Sequence, residues 1–243
     1  SHAAAYALVA YRTAYLKLHF KTEYMAALLS SVLDMPSKLN EYLHECERLG
    51  IKILPPSVNF GNAEFTSTED GIRFGLLAVK NLGRTIITKI IQNRGDGYVS
   101  IFDFLKRNSD LQLNRRALEG LIKSGALDDF GFTRHSLIMS IDKLCDYADT
   151  ERRYSAGGQI SLFGAAGDSA HTPSIQMFEE FSENELLEFE KETTDFYISG
   201  HPLLPLKKYL PIIGAVGISD ILQGEDSGAF HDGQKVTLLA AVA

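Results

Sequence analysis

The chain has 243 residues, of which 45% are hydrophobic and 23% charged, the composition of a folded protein with a buried core. It has neither a run of about 18 apolar residues nor a basic start followed by a short apolar stretch, which argues against a membrane span and a signal peptide and predicts a cytoplasmic location. Cys46 and Cys145 lie far apart without C-x-x-C spacing, so we expect free thiols and no disulfide or structural zinc site.

The net charge of −7 is unevenly distributed along the chain. Residues 72–127 carry ten Lys and Arg against four Asp and Glu, whereas residues 128–243 carry eight against nineteen. Residues 1–71 are close to neutral, with six against eight. A basic segment between a neutral and an acidic one predicts local contact with a polyanion.

The first third of the chain predicts helices followed by short strands. Residues 3–33 are rich in Ala and Leu at helical spacing, so we expect two closely spaced, mostly buried helices. KLNEYLHECERLG predicts a helix that ends at Gly50, and IKIL a short strand. EFTSTEDGIRFG predicts a β-hairpin that turns at Asp70-Gly71.

The basic segment contains two similar helix-turn units. GLLAVKNLGRTIITKIIQNR predicts a tight turn at 80–83 followed by a helix with an apolar face, and LNRRALEGLIKSGALDDFG predicts a helix at 114–123 with a turn at Ser124-Gly125. Because each unit has a glycine at its turn, we interpret the pair as a degenerate internal repeat. The segment holds no P-loop, G-x-S-x-G or G-x-G-x-x-G motif.

Glycine at a helix N-terminus lets backbone N–H groups approach a phosphate, and the positive end of the helix dipole favours that anion. Such contacts are independent of base sequence and weaken with salt. The alternative is a solvated charged face on an ordinary helical domain. The cations around the two turns are Lys80, Arg84, Lys89, Arg115, Arg116 and Lys123.

The acidic remainder predicts a helix at about 133–152, a linker from Gln159 to about Phe181, and a second helix in SENELLEFEKETTDF. Ser182 and Glu185 form a capping-box pattern at the start of this helix, whose carboxylates we interpret as a solvated face. FYISGHPL predicts a short strand and turn. From about residue 211 a new unit is predicted, with a helix near 218–222 and a strand at 235–242.

Within the linker, Gln159-Ile160-Ser161-Leu162-Phe163 places two large apolar residues side by side. Neighbouring side chains of an extended peptide point to opposite sides, so a core buries only one of them, whereas a partner with pockets takes both. The sequence leaves open whether Leu162 and Phe163 bind a partner or fold back on their own domain.

At the other end of the chain, His2 and Tyr6 are spaced i and i+4 and therefore share one helix face. They could contact the phosphate or base of a nucleotide, or they could cap the helix and pack against it. The chain shows no constellation for chemistry of its own and no acidic pair for two Mg²⁺ ions, so we expect no metal site.

Several stretches in this order resemble the alpha subunit of bacterial replicative DNA polymerase III, a C-family polymerase. They are SHAAAYALVAYRTAYLKLHF, EYMAALL, ILPPSVN, IRFGLLAVKNLG, LNRRALEGLIKSGALD, QISLFG and YISGHPL, and KVTLLAAVA is similar to the first strand of that family's OB domain. The resemblance implies a fragment of a longer protein, mainly α with small β elements. Its regions are 1–71 (late fingers), 72–127 (tandem helix-hairpin-helix), 128–210 (clamp-binding region with linker and acidic helix) and 211–243 (truncated start of an OB fold).

The resemblance also implies roles. Ser1, His2 and Tyr6 correspond to a stretch near the incoming nucleotide, residues 159–163 match a motif that binds the sliding clamp, and the tandem hairpins grip duplex DNA. The implied DNA-binding set is Lys80, Asn81, Leu82, Gly83, Arg84, Lys89, Arg115, Arg116, Lys123 and Gly125. Asn81 stands where many such hairpins have a second glycine.

The family's Mg²⁺-dependent catalytic carboxylates lie upstream, so we expect the fragment to bind DNA, the clamp and other replicative subunits without polymerising. Two alternatives remain: a helix-hairpin-helix repair enzyme using Asp96 or Asp103, and a non-catalytic module that only recruits a clamp.

Overall fold

The computed structural model describes residues 2–111, 113–156, 172–218, 220–221, 230–231 and 233–240. Predicted residues Ser1 and Gln159 to Phe163 lie outside these ranges. Contacts divide the chain into two units, Ser1–Ser199 and Gly200–Ala243. Helices predominate in the described residues, together with one small sheet of three strands.

The N-terminal part of the first unit consists of three helices and the sheet. The elements are α1 (His2–His19), α2 (Lys21–Ser31), α3 (Pro36–Arg48), β1 (Ile53–Leu54), β2 (Thr66–Thr68) and β3 (Gly71–Arg73). β3 lies in the middle of the sheet, parallel to β1 and antiparallel to β2. The two predicted helices in residues 3–33 are present, but their predicted burial is wrong for α1, which has no buried residue. Helical periodicity identifies the apolar face of a helix but does not show whether another part of the chain packs against that face.

The predicted β-hairpin forms, with its turn shifted by one residue. Thr68 pairs with Gly71, so Glu69 and Asp70 make the turn and Gly71 begins β3. Gly71 has φ of +143°, and a Cβ there would collide with the carbonyl oxygen of Lys52. Glycine is therefore required by the close approach of the backbone at residue 52.

The rest of the first unit is helical. It contains α4 (Arg84–Asn93), α5 (Ile101–Arg107), α6 (Arg115–Lys123), α7 (Arg134–Met139), α8 (Ile141–Ala156) and α9 (Glu183–Thr194), with short 3₁₀ turns at Leu76–Ala78, Ser109–Leu111 and Asp128–Phe130. The single helix predicted at about 133–152 is two helices, which meet at Ser140. The capping box at the start of α9 is confirmed, because the Ser182 side chain accepts from the Glu185 N–H and the Glu185 carboxylate accepts from the Ser182 N–H.

Two hydrophobic cores hold the first unit together. One is built from α2, α3 and the sheet, and includes Met25, Leu43, Ile72 and Phe74. The other is built around α4 to α8. The strand predicted in FYISGHPL does not form, and residues 196–199 instead lie as irregular chain with Phe196 and Ile198 buried in the first core. The segment after α9 therefore packs against the N-terminal helices.

The second unit has little regular structure in the residues described. It contains a 3₁₀ segment (Leu204–Tyr209), α10 (Leu210–Ile213), and helical residues at 218, 220 and 221. Where a strand was predicted at 235–242, the described residues 235–240 show an isolated bridge between Thr237 and Ala215. Across the described parts of both units, no helix is long and apolar enough to span a membrane.

Candidate nucleic-acid interface

The first hairpin, residues 79–84, joins a short 3₁₀ turn to the start of α4. Asn81 adopts the left-handed conformation, with φ of +64°. This is the conformation that glycine favours, and asparagine tolerates it better than other side chains. Asn81 thus meets the geometric demand that a glycine would meet at this turn. Leu82 is buried in the second core, which anchors the turn and leaves only its backbone for contact with a ligand.

The N-terminus of α4 is open to solvent. Its N-cap is Gly83, which has φ of −74° and makes no side-chain capping hydrogen bond. A Cβ at Gly83 would meet nothing within 4 Å, and Arg84 and Thr85 are exposed. The first backbone N–H groups of a helix lack intrahelical partners and carry partial positive charge. The exposed N-terminus of this ten-residue helix, which has no side-chain cap, therefore offers these groups to an anion.

The second hairpin, residues 123–135, joins α6 to α7. Gly125 has φ of +82°, and a Cβ there would collide with the Arg134 guanidinium and the Asp128 carboxylate. The close approach that requires glycine at this turn is therefore made by the chain's own arginine. Both flanking helices have side-chain caps: Asn114 accepts from the Ala117 N–H at 2.9 Å, and Thr133 accepts from the Ser136 N–H at 3.1 Å.

The first hairpin contacts α6, the helix that leads into the second hairpin, at Lys80. A Cβ on Gly120 of α6 would lie 3.2 Å from the Lys80 carbonyl oxygen, so the small residue allows the first hairpin to rest on α6. The Lys80 N–H donates to the carbonyl of Thr193 in α9 at 2.8 Å. The end of α9 thus lies against the first hairpin, at the residue that also contacts α6.

The predicted phosphate-binding cations differ in what surrounds them. Lys80 pairs with Asp195 at 2.8 Å and Lys89 with Asp110 at 3.1 Å, in pairs whose side chains are about half exposed. Arg115 pairs with Asp142 at the surface. Arg84 and Arg116 are exposed and form no ion pair with any residue in the described ranges. Exposed pairs contribute little stability, typically below 1 kcal/mol, so a phosphate competes with them readily.

Lys123 is the exception. Its side chain is 13% exposed and forms ion pairs of 2.9 Å with both Glu119 and Glu192. Partial burial lowers its pKa, but the hydrogen bonds to the two carboxylates outweigh this, and the pKa of Lys123 lies above its usual value. The ammonium also lies 5.1 Å from the ring centre of Phe189. Lys123 is therefore charged and enclosed.

Sequence reasoning missed a polar cluster beside Lys123. Arg134 is almost buried and binds Asp128 at 2.8 Å, and the buried carboxylate of Glu190 lies 3.6 Å from it. Glu190 also accepts from the N–H groups of Ile198 and Ser199 at 2.8 and 2.9 Å. The carboxylates of 179–195 were interpreted as a solvated face, which is wrong for Glu190. The capping-box pattern marked the start of α9, but no local pattern identifies which of its acids is buried.

At the other predicted positions, His2 and Tyr6 lie in the first turns of α1, with ring centres 5.2 Å apart in an edge-to-face arrangement. Asp103, considered above as a repair-enzyme acid, pairs with Arg107 at 3.2 Å and accepts from the Val99 N–H. In the described ranges, no group of three or more His, Cys, Asp or Glu side chains is placed to hold a metal ion.

Comparison with known proteins adds two findings. A family model described as a helix-hairpin-helix motif matches residues 50–137, which include both hairpins. The DNA polymerase III alpha subunit of Saccharopolyspora erythraea is 40% identical over 234 residues, 93% of this chain and 20% of that protein. The alpha subunits of Thermus aquaticus and Escherichia coli K12 are 41% and 37% identical, over 84% and 91% of this chain and 16% and 20% of theirs.

The chain thus spans about one fifth of the length of the curated relatives that it matches. The resemblance deduced from the sequence is confirmed, as is the coarse fold class of a mainly helical chain with a helix-hairpin-helix motif and a small sheet.

Proposed function

The chain is related to one segment of DNA polymerase III alpha subunits, and on this basis we propose that it is the part of a replicative DNA-directed DNA polymerase that holds duplex DNA and the sliding clamp. In this proposal the whole polymerase transfers nucleotidyl groups in the cytoplasm, together with other replicative subunits. The fragment itself does not polymerise. Its contribution is affinity for the primer-template, independent of base sequence.

The first hairpin is the observation that carries the DNA-binding proposal. It combines a left-handed Asn81, an open N-terminus of α4 at Gly83 and an exposed Arg84 that pairs with no acid of the described ranges, inside the stretch that the helix-hairpin-helix model matches. In the proposed complex, a backbone phosphate lies at the start of α4, where N–H groups and the Arg84 guanidinium both donate to it.

The rest of the predicted set surrounds this point. Lys80, Lys89 and Arg115 lie at the surface and become available for further phosphate contacts once their carboxylate partners are displaced. Arg116 is exposed and has no ion pair to give up in the described ranges. Lys123 and Gly125, in the second hairpin, are enclosed by side chains of this chain and are considered separately below.

The first test replaces Arg84 by Gln and measures binding to labelled duplexes of two unrelated sequences by fluorescence anisotropy. We expect several-fold weaker binding to both, and a slope of log K against log salt that is smaller by about one between roughly 50 and 200 mM salt. Lys38→Gln is the control, because Lys38 is also exposed but lies on α3, far from the hairpin in sequence. Equal loss in both variants, or loss confined to one duplex sequence, would contradict backbone binding at the first hairpin.

Clamp binding is proposed for residues 159–163. The support is the sequence itself: a glutamine whose amide both donates and accepts, followed by Leu162 and Phe163, which two pockets of a ring-shaped clamp would take. A tether of this kind raises the effective concentration of the polymerase on DNA. Ser1, His2 and Tyr6 are proposed to lie near the incoming nucleotide, and the Mg²⁺ ions needed for transfer are assigned to residues outside this chain.

The clamp proposal is tested with the double variant Leu162→Ala and Phe163→Ala. We expect clamp binding in surface plasmon resonance to be lost while the melting temperature stays nearly unchanged, because the proposed contact is with another protein. Ser161→Ala, within the same stretch, is the control. Clamp affinity that survives the double substitution would refute the assignment.

A further inference from the structure

We propose that the second hairpin binds the chain's own acidic segment, residues 178–195, rather than DNA, an inference that rests on the proposed DNA-binding function. A helix-hairpin-helix turn offers backbone N–H groups and cations to an anion. In the first hairpin the start of α4 and the Arg84 side chain face solvent, and Lys80 lies in a half-exposed pair with Asp195. In the second these groups are already occupied by carboxylates of the same chain.

Lys123 is held by α9. Glu192 contacts its ammonium through both carboxylate oxygens, at 3.0 and 2.9 Å, and Glu119 contacts it from one turn earlier on α6. The ammonium also lies over the ring of Phe189. A DNA phosphate would have to displace two carboxylates and an aromatic ring from a largely enclosed ammonium, which exposed lysines such as Lys89 do not require.

Arg134 and the start of α7 are occupied in the same way. The Arg134 guanidinium binds Asp128 and the Lys123 carbonyl, at 2.8 and 3.1 Å, with Glu190 next to it. The carboxylate of Glu180 accepts from the backbone N–H groups of Arg134 and His135, at 2.8 and 3.1 Å.

The chain on either side of Glu180 is fixed to α7 as well. The Phe178 N–H donates to Ser136 Oγ at 2.8 Å, and Thr133 Oγ1 donates to the Phe178 carbonyl at 3.1 Å. The His135 ring packs against the rings of Phe178 and Phe181, with ring centres 5.1 and 4.4 Å away. Residues 178–181 thus lie along α7 as a bound peptide would, and the capping box starts α9 directly afterwards.

These contacts define a role for Lys123 and Arg134 that differs from phosphate binding. They are positioning residues, which fix α9 against the hairpins. Removing one member of a buried ion pair leaves the charge of the other member unpaired, which is strongly unfavourable. Sequence-independent DNA contact at the turns therefore rests on the first hairpin.

The test compares Lys123→Gln and Glu192→Gln with Arg84→Gln in the complete 243-residue chain, by duplex binding over a salt series and by thermal unfolding. We expect Lys123→Gln to leave duplex affinity and its salt slope unchanged and to lower the melting temperature by several degrees. Arg84→Gln should weaken duplex binding and reduce its salt slope while leaving the melting temperature nearly unchanged. Glu192→Gln removes a contact of Lys123 while keeping the lysine, so it remains informative if Lys123→Gln fails to fold.

Glu188→Gln is the matched control for Glu192→Gln, since Glu188 is exposed on the same helix and the change in net charge is identical. The two variants should bind the duplex equally, with the lower melting temperature in Glu192→Gln. Several-fold tighter duplex binding by Glu192→Gln, or loss of affinity in folded Lys123→Gln as large as that in Arg84→Gln, overturns the inference and leaves the proposed function intact. A wild-type chain that does not bind duplex at all contradicts the proposed function, and the inference with it.

Discussion

The two hairpins are built from similar sequence patterns and differ in how far acidic side chains of the chain enclose them. The first turns through Asn81 in the left-handed conformation and ends at an exposed helix start. The second turns through Gly125 and is enclosed by Asp128, Glu180 and Glu192. The sequence pattern of a helix-turn unit therefore predicts that the unit can bind an anion. Whether that anion is a ligand or a carboxylate of the same chain depends on the residues that pack against the turn.

The difference also determines what each hairpin contributes to stability. In the second, charged groups are removed from water and hold one another in fixed positions. In the first, the ion pairs are half exposed and individually weak. We therefore propose that the first hairpin contacts the ligand, while the more enclosed charges of the second make the stronger attachment of α9.

The largest expected effect follows from the buried carboxylate. Glu190→Ala removes the acceptor of the Ile198 and Ser199 N–H groups and a partner of Arg134, so we expect the free energy of unfolding to fall by about 3–5 kcal/mol in urea titrations. The matched change for the first hairpin is Asp195→Asn, just after α9. It neutralises the half-exposed partner of Lys80 and retains a side chain that tolerates the left-handed φ of +60° at residue 195. It should reduce stability by less than about 1 kcal/mol. Similar losses in the two variants would remove the proposed distinction between the hairpins.

Sequence reasoning predicted the parts of this arrangement that depend on local signals. The helix at 114–123, the capping box at Ser182 and the two helix-turn units depend on spacing within a few residues, and the structure contains them. The positions of the proposed ligand contacts in the first hairpin were also predicted, because a turn followed by an open helix start is a local feature.

The parts that it missed depend on long-range pairing. Glu180 binds Arg134 across 46 residues, and Glu192 binds Lys123 across 69. An acidic residue on a helix gives no sign of such a partner, so the acidic helix was interpreted as solvated. The burial predicted for α1 was wrong for a related reason, since an apolar pattern does not specify which surface covers it.

A smaller effect separates the two glycines at the turns. Gly125→Ala places a Cβ at a φ of +82° and against Arg134, so we expect a loss of about 2 kcal/mol in stability, from left-handed strain and the displaced guanidinium. Gly83→Ala meets open space at a φ of −74°, so stability should change by less than about 1 kcal/mol, reflecting the poorer helix N-cap. A methyl group at residue 83 would, however, lie where the proposed phosphate approaches α4, so the duplex affinity of Gly83→Ala should fall. The duplex affinity of folded Gly125→Ala should remain at the wild-type level. Unfolding titrations and anisotropy on the same two samples measure both quantities. An unaffected duplex affinity in Gly83→Ala would place the phosphate away from the helix start, while an affinity loss in folded Gly125→Ala would show that the second hairpin contacts DNA after all.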